Sequence, residues 1–279
     1  MTEAALLALF DREMRRDTRP EASGDRVEQD GPVVRYVGAG AHGWNGIVWS
    51  GLDGADEAAV DAVVAEQVRY FTALDREFEW KLYGHDGPPG LAGRLLAAGF
   101  VAEEEETLMV AETPVHGDLS ASPSLPPGVR LEPVTDAAGV RLVAAVHELA
   151  FGHSRSSVVQ QLLDELAADP TAVPALVAMA GDEPISAARL QFHPGTSFAS
   201  LWSGGTVPAW RGRGVYRALV AARARMAAER GYRFLQVDAL PTSRPILQRL
   251  GFVPLTTTTP YVYGPSVAQD LSGGSCSAP

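Results

Sequence analysis

Apolar and polar positions along the 279-residue chain switch between a two-residue period, which predicts strands, and a three-to-four-residue period, which predicts helices. From residue 128 onward the pattern predicts a strand at 129–133 and helices at 136–150 and 156–168, with Asp136 and Ser156 as caps. Strands follow at 175–180, 185–192 and 198–207, then a glycine turn and an alanine-rich helix at 214–230. A strand at 233–238, a helix at 243–250, the pair Gly251-Phe252 and a last strand complete this part. The earlier part predicts an amphipathic helix at 1–16, a strand at 46–50, a helix at 56–74 and a short strand at 79–83. Residues 94–101 (RLLAAGFV) echo residues 246–253 (ILQRLGFV), 152 positions later, and each follows a helix and a short strand. The pattern therefore reads as one α/β architecture used twice. Pro114, Pro123, Pro126 and Pro127 break a polar stretch at 113–127 that reads as a linker. The expected division is a domain at 1–112, a domain at 128–264 and a disordered tail at 265–279.

Composition adds little to this until charge is mapped onto it. Hydrophobic content of 46% and charged content of 20% are those of an ordinary globular protein, and the length suits two domains. The single cysteine, Cys276, lies in the Gly/Ser/Pro tail, which excludes a disulfide framework and argues against an acyl-cysteine mechanism. No charged start followed by an apolar core opens the chain and no run is long enough to span a membrane, so a cytoplasmic location is expected. The net charge of −11 is unevenly spread. Residues 204–264 hold nine arginines against Glu229 and Asp238, whereas residues 1–112 hold ten basic and twenty-two acidic side chains. Such a protein repels nucleic acid generally and attracts anions at one place. An arginine-rich helix that is simply a solvated face is the plainer reading of the same numbers.

That place is the turn Val207-Pro-Ala-Trp-Arg-Gly-Arg-Gly-Val-Tyr216, which enters the helix directly from an apolar strand. A helix N-terminus presents unbonded N–H groups and a partial positive charge, and Gly212 and Gly214 leave the approach open. Arg211 and Arg213 add full charges. A dinucleotide fingerprint requires a third glycine where Arg217 stands, and a P-loop requires Lys-Ser or Lys-Thr where Val215-Tyr216 stands. Residues 211–216 instead resemble the R/Q-x-x-G-x-G/A motif of the GNAT superfamily of acyl-CoA-dependent N-acyltransferases, and the order of elements over 128–263 is similar as well. Tandem members of that superfamily exist, and the resemblance implies two GNAT-like α/β (α+β) folds, each a central mixed sheet flanked by helices. It also implies that Thr206, Val207, Arg211, Gly212, Arg213, Gly214, Val215, Tyr216, Ser243 and Arg244 hold acetyl-CoA as co-substrate, with no metal. The motif's sixth position is Tyr216 rather than Gly or Ala, so its ring must turn away from the phosphates. The family's usual tyrosine acid is replaced by Leu247, and a frequent asparagine by Leu240. In the first copy the corresponding loop, Ser50-Gly-Leu-Asp-Gly-Ala-Asp-Glu57, is acidic, so no acetyl-CoA is expected there and Asp53 or Asp56 reads as a helix cap.

By the same resemblance the reaction is direct attack of a primary amine on the thioester, the oxyanion being met by a backbone N–H near Val207. A lysine-like amine is only about a thousandth neutral near pH 7.4, so a base or a bound neutral amine is required. Candidates for the chemistry are Asp238, at the end of its strand, His153, in the loop between two helices, and Ser243, at the start of the last helix. Asp238 can equally cap a turn, His153 be a solvated loop residue, and Ser243 a plain N-cap. Tyr216 is a further possible donor, with packing as the simpler role. Trp202 and His153 are the expected acceptor-side residues, while His147 and Glu148 read as surface positions and Glu103 to Glu106 as a solvated face. The expected acceptor is a small molecule such as a polyamine, an aminoglycoside-like compound or an amino-acid derivative. A non-catalytic acyl-CoA-binding regulator and a protein N-acetyltransferase are the alternatives. A monomer is favoured over a homodimer, with no nucleic-acid or membrane partner.

Overall fold

The computed structural model describes residues 1–113, 125–152, 156–168 and 175–264. The core of the expected linker, the tail with Cys276, and His153 lie outside these residues. The chain folds as two compact units, one of Met1–Leu108 with the chain from Leu255 onward, the other Met109–Pro254.

The first unit opens with α1 (Glu3–Phe10), whose last turn widens into a π-helix over Asp11–Arg16. Its sheet takes the order β1 (Arg26–Asp30), β2 (Val33–Val37), β3 (Asn45–Ser50), β4 (Phe78–Tyr83), then β12 (Val253–Tyr263), with β5 (Val101–Ala102) also beside β12. The β3–β4 pair is parallel and β12 runs antiparallel to β4 from Thr258 to Tyr263. Between the parallel strands lies α2 (Glu57–Ala73), and α3 (Leu91–Ala97) follows β4. Val60, Val64 and Phe71 of α2 pack with Ile47, Phe78, Trp80 and Leu95 in one core. The helical spacing of these α2 residues is what buries one stripe of it.

A buried polar knot fixes the π-helical turn. Arg15 donates to Asp86 (2.6 Å), Asp11 (2.7 Å) and the Val48 carbonyl (3.0 Å), and its guanidinium lies 4.0 Å from the Tyr83 ring centre. Burial alone would raise the Asp11 carboxyl, but hydrogen bonds from His85 and Arg15 outweigh it and hold the group below its ordinary value. A carboxylate depressed in the folded state adds stability that is complete above its unfolded value, near pH 4, and is lost as pH falls through the folded one. Asp11→Asn is therefore expected to flatten the acid limb of a stability–pH curve measured by urea unfolding. An unchanged limb would mean that Asp11 does not carry it.

The second unit contains β7 (Val129–Pro133), α4 (Ala137–Phe151), α5 (Ser156–Ala168), β8 (Ala175–Ala180), β9 (Glu183–Phe192), β10 (Phe198–Thr206), α6 (Val215–Glu229), β11 (Phe234–Ala239) and α7 (Arg244–Arg249). Its strands lie in the order β11, β10, β9, β8, β7, and β6 (Glu106–Glu112) flanks β11. Asp136 caps α4 by accepting from the Gly139 N–H at 2.8 Å. Val140, Val143 and Val146 of α4 pack with Leu162 and Leu166 of α5 and with β8 and β9. The other core gathers Val220, Ala221, Ala224 and Ala227 of α6 with Leu201, Leu235, Val237 and Leu247. Alanine on that helix face lets α6 lie close to the sheet. No helix among the described residues is long and apolar enough to cross a membrane.

Candidate functional site

The site begins where two neighbouring strands part. Strands β10 and β11 are paired in parallel only at Phe198–Phe234, Ala199–Leu235 and Ser200–Gln236, and both continue well beyond. Side chains alternate across the sheet. Leu201, Leu235 and Val237 enter the α6 core, so Ser200, Trp202, Gln236 and Asp238 share the opposite face. On that face Gln236 donates to Ser200 Oγ at 2.7 Å, and His193 Nε2 lies 2.6 Å from the same oxygen. Asp238 and Trp202 follow, one on each side of the opening.

Strand β10 is also bulged there. Trp202 stands opposite Arg189 and Gly205 opposite Ala187, so β10 spends one residue more than β9 over this interval. Ser203 takes up the excess in the left-handed region, with φ 53°. Two contacts hold it in place. His147 Nε2–H donates to the Ser203 carbonyl at 3.0 Å, and a Cβ on Gly205 would fall 2.8 Å from the Phe151 ring. From the other side Tyr216 closes in, 3.1 Å from where a Cβ of Gly204 would stand. Its ring thus lies against the bulge, and burial pushes its phenol up, partly opposed by the Arg223 guanidinium. Arg223 itself is 1% exposed, donating to the Leu219 and Arg189 carbonyls, and burial brings it down to about 10.

The Val207 N–H donates to the Ile185 carbonyl at 3.0 Å, so it is not available to an incoming oxygen. Within the bulge, Ser203 and Gly204 have no Cα partner in the β9 register. Thr206 is held by Ser186, their hydroxyl oxygens 2.8 Å apart.

A short 3-10 turn, Pro208–Trp210, leads to the glycines. Arg211 donates to the Thr206 and Ala150 carbonyls (3.1 and 2.9 Å), bracing the turn against the C-terminal end of α4. Arg213 is exposed as well, and its guanidinium carbon stands 4.9 Å from the Trp210 ring centre. Gly212 has φ 73° and nothing within 4 Å of a Cβ position. Gly214, φ 85°, starts α6 with no side-chain cap, and the first helical bond runs from the Ala218 N–H to the Gly214 carbonyl at 3.0 Å. The N–H groups preceding Ala218 in the first turn have no partner within the helix. The donor set and the open space fit a diphosphate, whereas a Cβ at either left-handed glycine would strain the turn.

The remaining candidates are less closely drawn in. The Ser243 hydroxyl donates to the Leu240 carbonyl at 3.1 Å and does not cap α7. Arg244 is exposed, and Leu247 is fully buried, so nothing at that position can give a proton. His147, a surface position by sequence, is instead half-buried and holds the bulge. Its spacing of four from Phe151 puts both on one helix face, the one available signal. Among the described residues no group of three or more His, Cys, Asp or Glu side chains is placed to hold a metal.

Known proteins resemble this chain in sequence or in fold. The sequence model of the acetyltransferase (GNAT) family matches residues 141–252. A GCN5-related N-acetyltransferase from Kribbella flavida has a similar structure, with TM-score 0.62 and 21% identity over 96% of each chain. A GCN5-related N-acetyltransferase from Sphaerobacter thermophilus gives 0.57 and 15% over 83% of this chain and 76% of that one. A tandem GNAT protein from the clavulanic acid biosynthesis pathway gives 0.57 and 15% over 89% and 86%. No curated protein sequence matches.

Proposed function

We propose that the second unit, whose residues 141–252 match the acetyltransferase (GNAT) family model, transfers an acetyl group from acetyl-CoA to a primary amine of a small molecule. The observation that carries this is the uncapped start of α6 on Gly214, beside strands that stop pairing after Ser200 and Gln236. The N–H groups of the first turn, Gly212 and Arg213 hold the diphosphate. Acetyl-CoA supplies the activated acyl carbon. The bulge at Ser203–Gly204 offers backbone N–H groups to the carbonyl oxygen, where a fixed donor is worth about 2.7–4 kcal/mol. Asp238 takes the proton from the amine across the opening. With Leu247 in the core, the thiolate leaves without help from that position.

The first unit is proposed as a degenerate copy. Its parallel pair β3–β4 and intervening α2 repeat the arrangement of β10, β11 and α6. Asp56, however, caps α2 by accepting from the Ala59 N–H at 2.8 Å, and the nearby Glu57 and Asp61 pair with Arg94. A carboxylate already answers the helix start, so one acetyl-CoA per chain is expected.

Arg213→Glu reverses a charge at the cradle and is expected to weaken acetyl-CoA binding by about 10–100-fold, that is about 1.4–2.8 kcal/mol. Calorimetry measures it, and unaltered affinity would contradict the assignment. The buried Leu247 also favours a second reading, a regulator that binds acyl-CoA without turnover. Thiol release with a panel of amines separates the two.

A further inference from the structure

The face that carries Asp238 has a chemical character of its own. Trp202 is 42% exposed and Phe151 47%, the two large aromatic side chains that the second unit leaves open among its described residues. Both lie on the α4 side of the sheet. Trp202 stands opposite Arg189 and Gly205, under Phe151, opposite Ala187, two positions along the same face of β9. Beside Phe151, His147 reaches the Ser203 carbonyl, its ring centre 5.8 Å from that of Phe151. The result is an aromatic row along the bulge.

Glu165 of α5 is engaged by Arg189, whose Nη2 lies 2.8 and 2.6 Å from its two carboxylate oxygens. Asp238 is the carboxylate at the opening itself. Two residues before it, Gln236 is nearly fully buried and its Oε1 meets no donor among the described residues. A buried acceptor of this kind is costly unless a ligand or water answers it.

From this geometry we infer that the acceptor is a monoamine carrying an aromatic ring on a short linker. Its single ammonium or amine group meets Asp238 and the Gln236 oxygen, and its ring lies along Trp202 and Phe151. A polycation is a poorer match, because its further charges would approach the arginine-rich turn. The inference rests on the transfer reading above and deepens it.

The test uses the full chain with CoA in excess and three probes: 2-phenylethylamine, spermidine and ethanolamine. Calorimetry is expected to show 2-phenylethylamine binding more tightly than either of the others. Trp202→Ala should weaken it by about tenfold, with Trp202→Phe restoring most of the loss and ethanolamine unaffected by either change. Spermidine binding more tightly than 2-phenylethylamine, equal binding of 2-phenylethylamine by wild type and Trp202→Ala, or no binding of it at all would overturn the inference. Thiol release from acetyl-CoA is followed alongside. Release driven by spermidine without 2-phenylethylamine binding would remove the aromatic acceptor and keep the transferase. The expected binding without release from any amine would keep the aromatic site and remove the transferase.

Discussion

Asp238→Asn is expected to bind acetyl-CoA as the wild type does and to lose about 10²–10⁴-fold in kcat, the usual worth of a positioned base. The expectation follows from where the residue stands. The last strand pair, Ser200–Gln236, puts Asp238 two residues into the opening, on the face opposite α6. A carboxylate there can reach an acceptor without meeting the diphosphate at the α6 start. Asp238→Glu keeps the carboxylate and should recover part of the rate. Steady-state kinetics distinguish this from a structural role. Loss confined to kcat, with KM for acetyl-CoA unchanged, supports the base, whereas wild-type kcat in Asp238→Asn would exclude it.

The largest effect on stability is expected in the first unit. Asp86→Ala removes one of the two carboxylates paired with Arg15, and the Arg15 and Asp86 side chains are both only 2% exposed. Breaking a buried ion pair costs about 3–5 kcal/mol, and Asp11, still 2.7 Å from the guanidinium, places this loss toward the lower figure. Asp86 also accepts from the Tyr83 N–H at 3.0 Å, a bond that an alanine side chain cannot replace. Replacing both charges, as Arg15→Met with Asp86→Leu, is expected to cost less than the sum of the single changes, because neither member of the pair is left facing an absent partner. Urea unfolding of the wild type, the two single variants and the double variant measures this. Additive losses would mean that the pair is not coupled.

Much of this architecture can be read from the sequence because local and tertiary preferences agree. The apolar run before Val207, the two glycines and the alanine-rich helix predict β10, the turn and α6. Strand β1 was not legible, since Arg26–Asp30 (RVEQD) reads as polar chain and is a strand by pairing with β2. The bulge was not legible either. Ser203 carries no mark of a left-handed conformation, which is imposed by His147 and by crowding at Gly204 and Gly205. Arg223 shows the limit of charge as a guide. Arg217, Arg225 and Arg230 are exposed, yet Arg223 is enclosed because it falls in the row of Val215 and Leu219 and finds carbonyl partners. The spacing 215, 219, 223 is a signal for it. Similarly, the glycine–arginine turn was legible as residue types, but the different contacts of its two arginines were not. Only the fold shows Arg211 bonded to the Ala150 and Thr206 carbonyls while Arg213 lies beside the Trp210 ring.

A crystal structure of the complex with CoA tests the cradle most directly. The diphosphate is expected at the first turn of α6, beside Gly212 and within reach of Arg213, with a single CoA bound per chain. A diphosphate found away from that turn, or a second CoA at the start of α2, would contradict it.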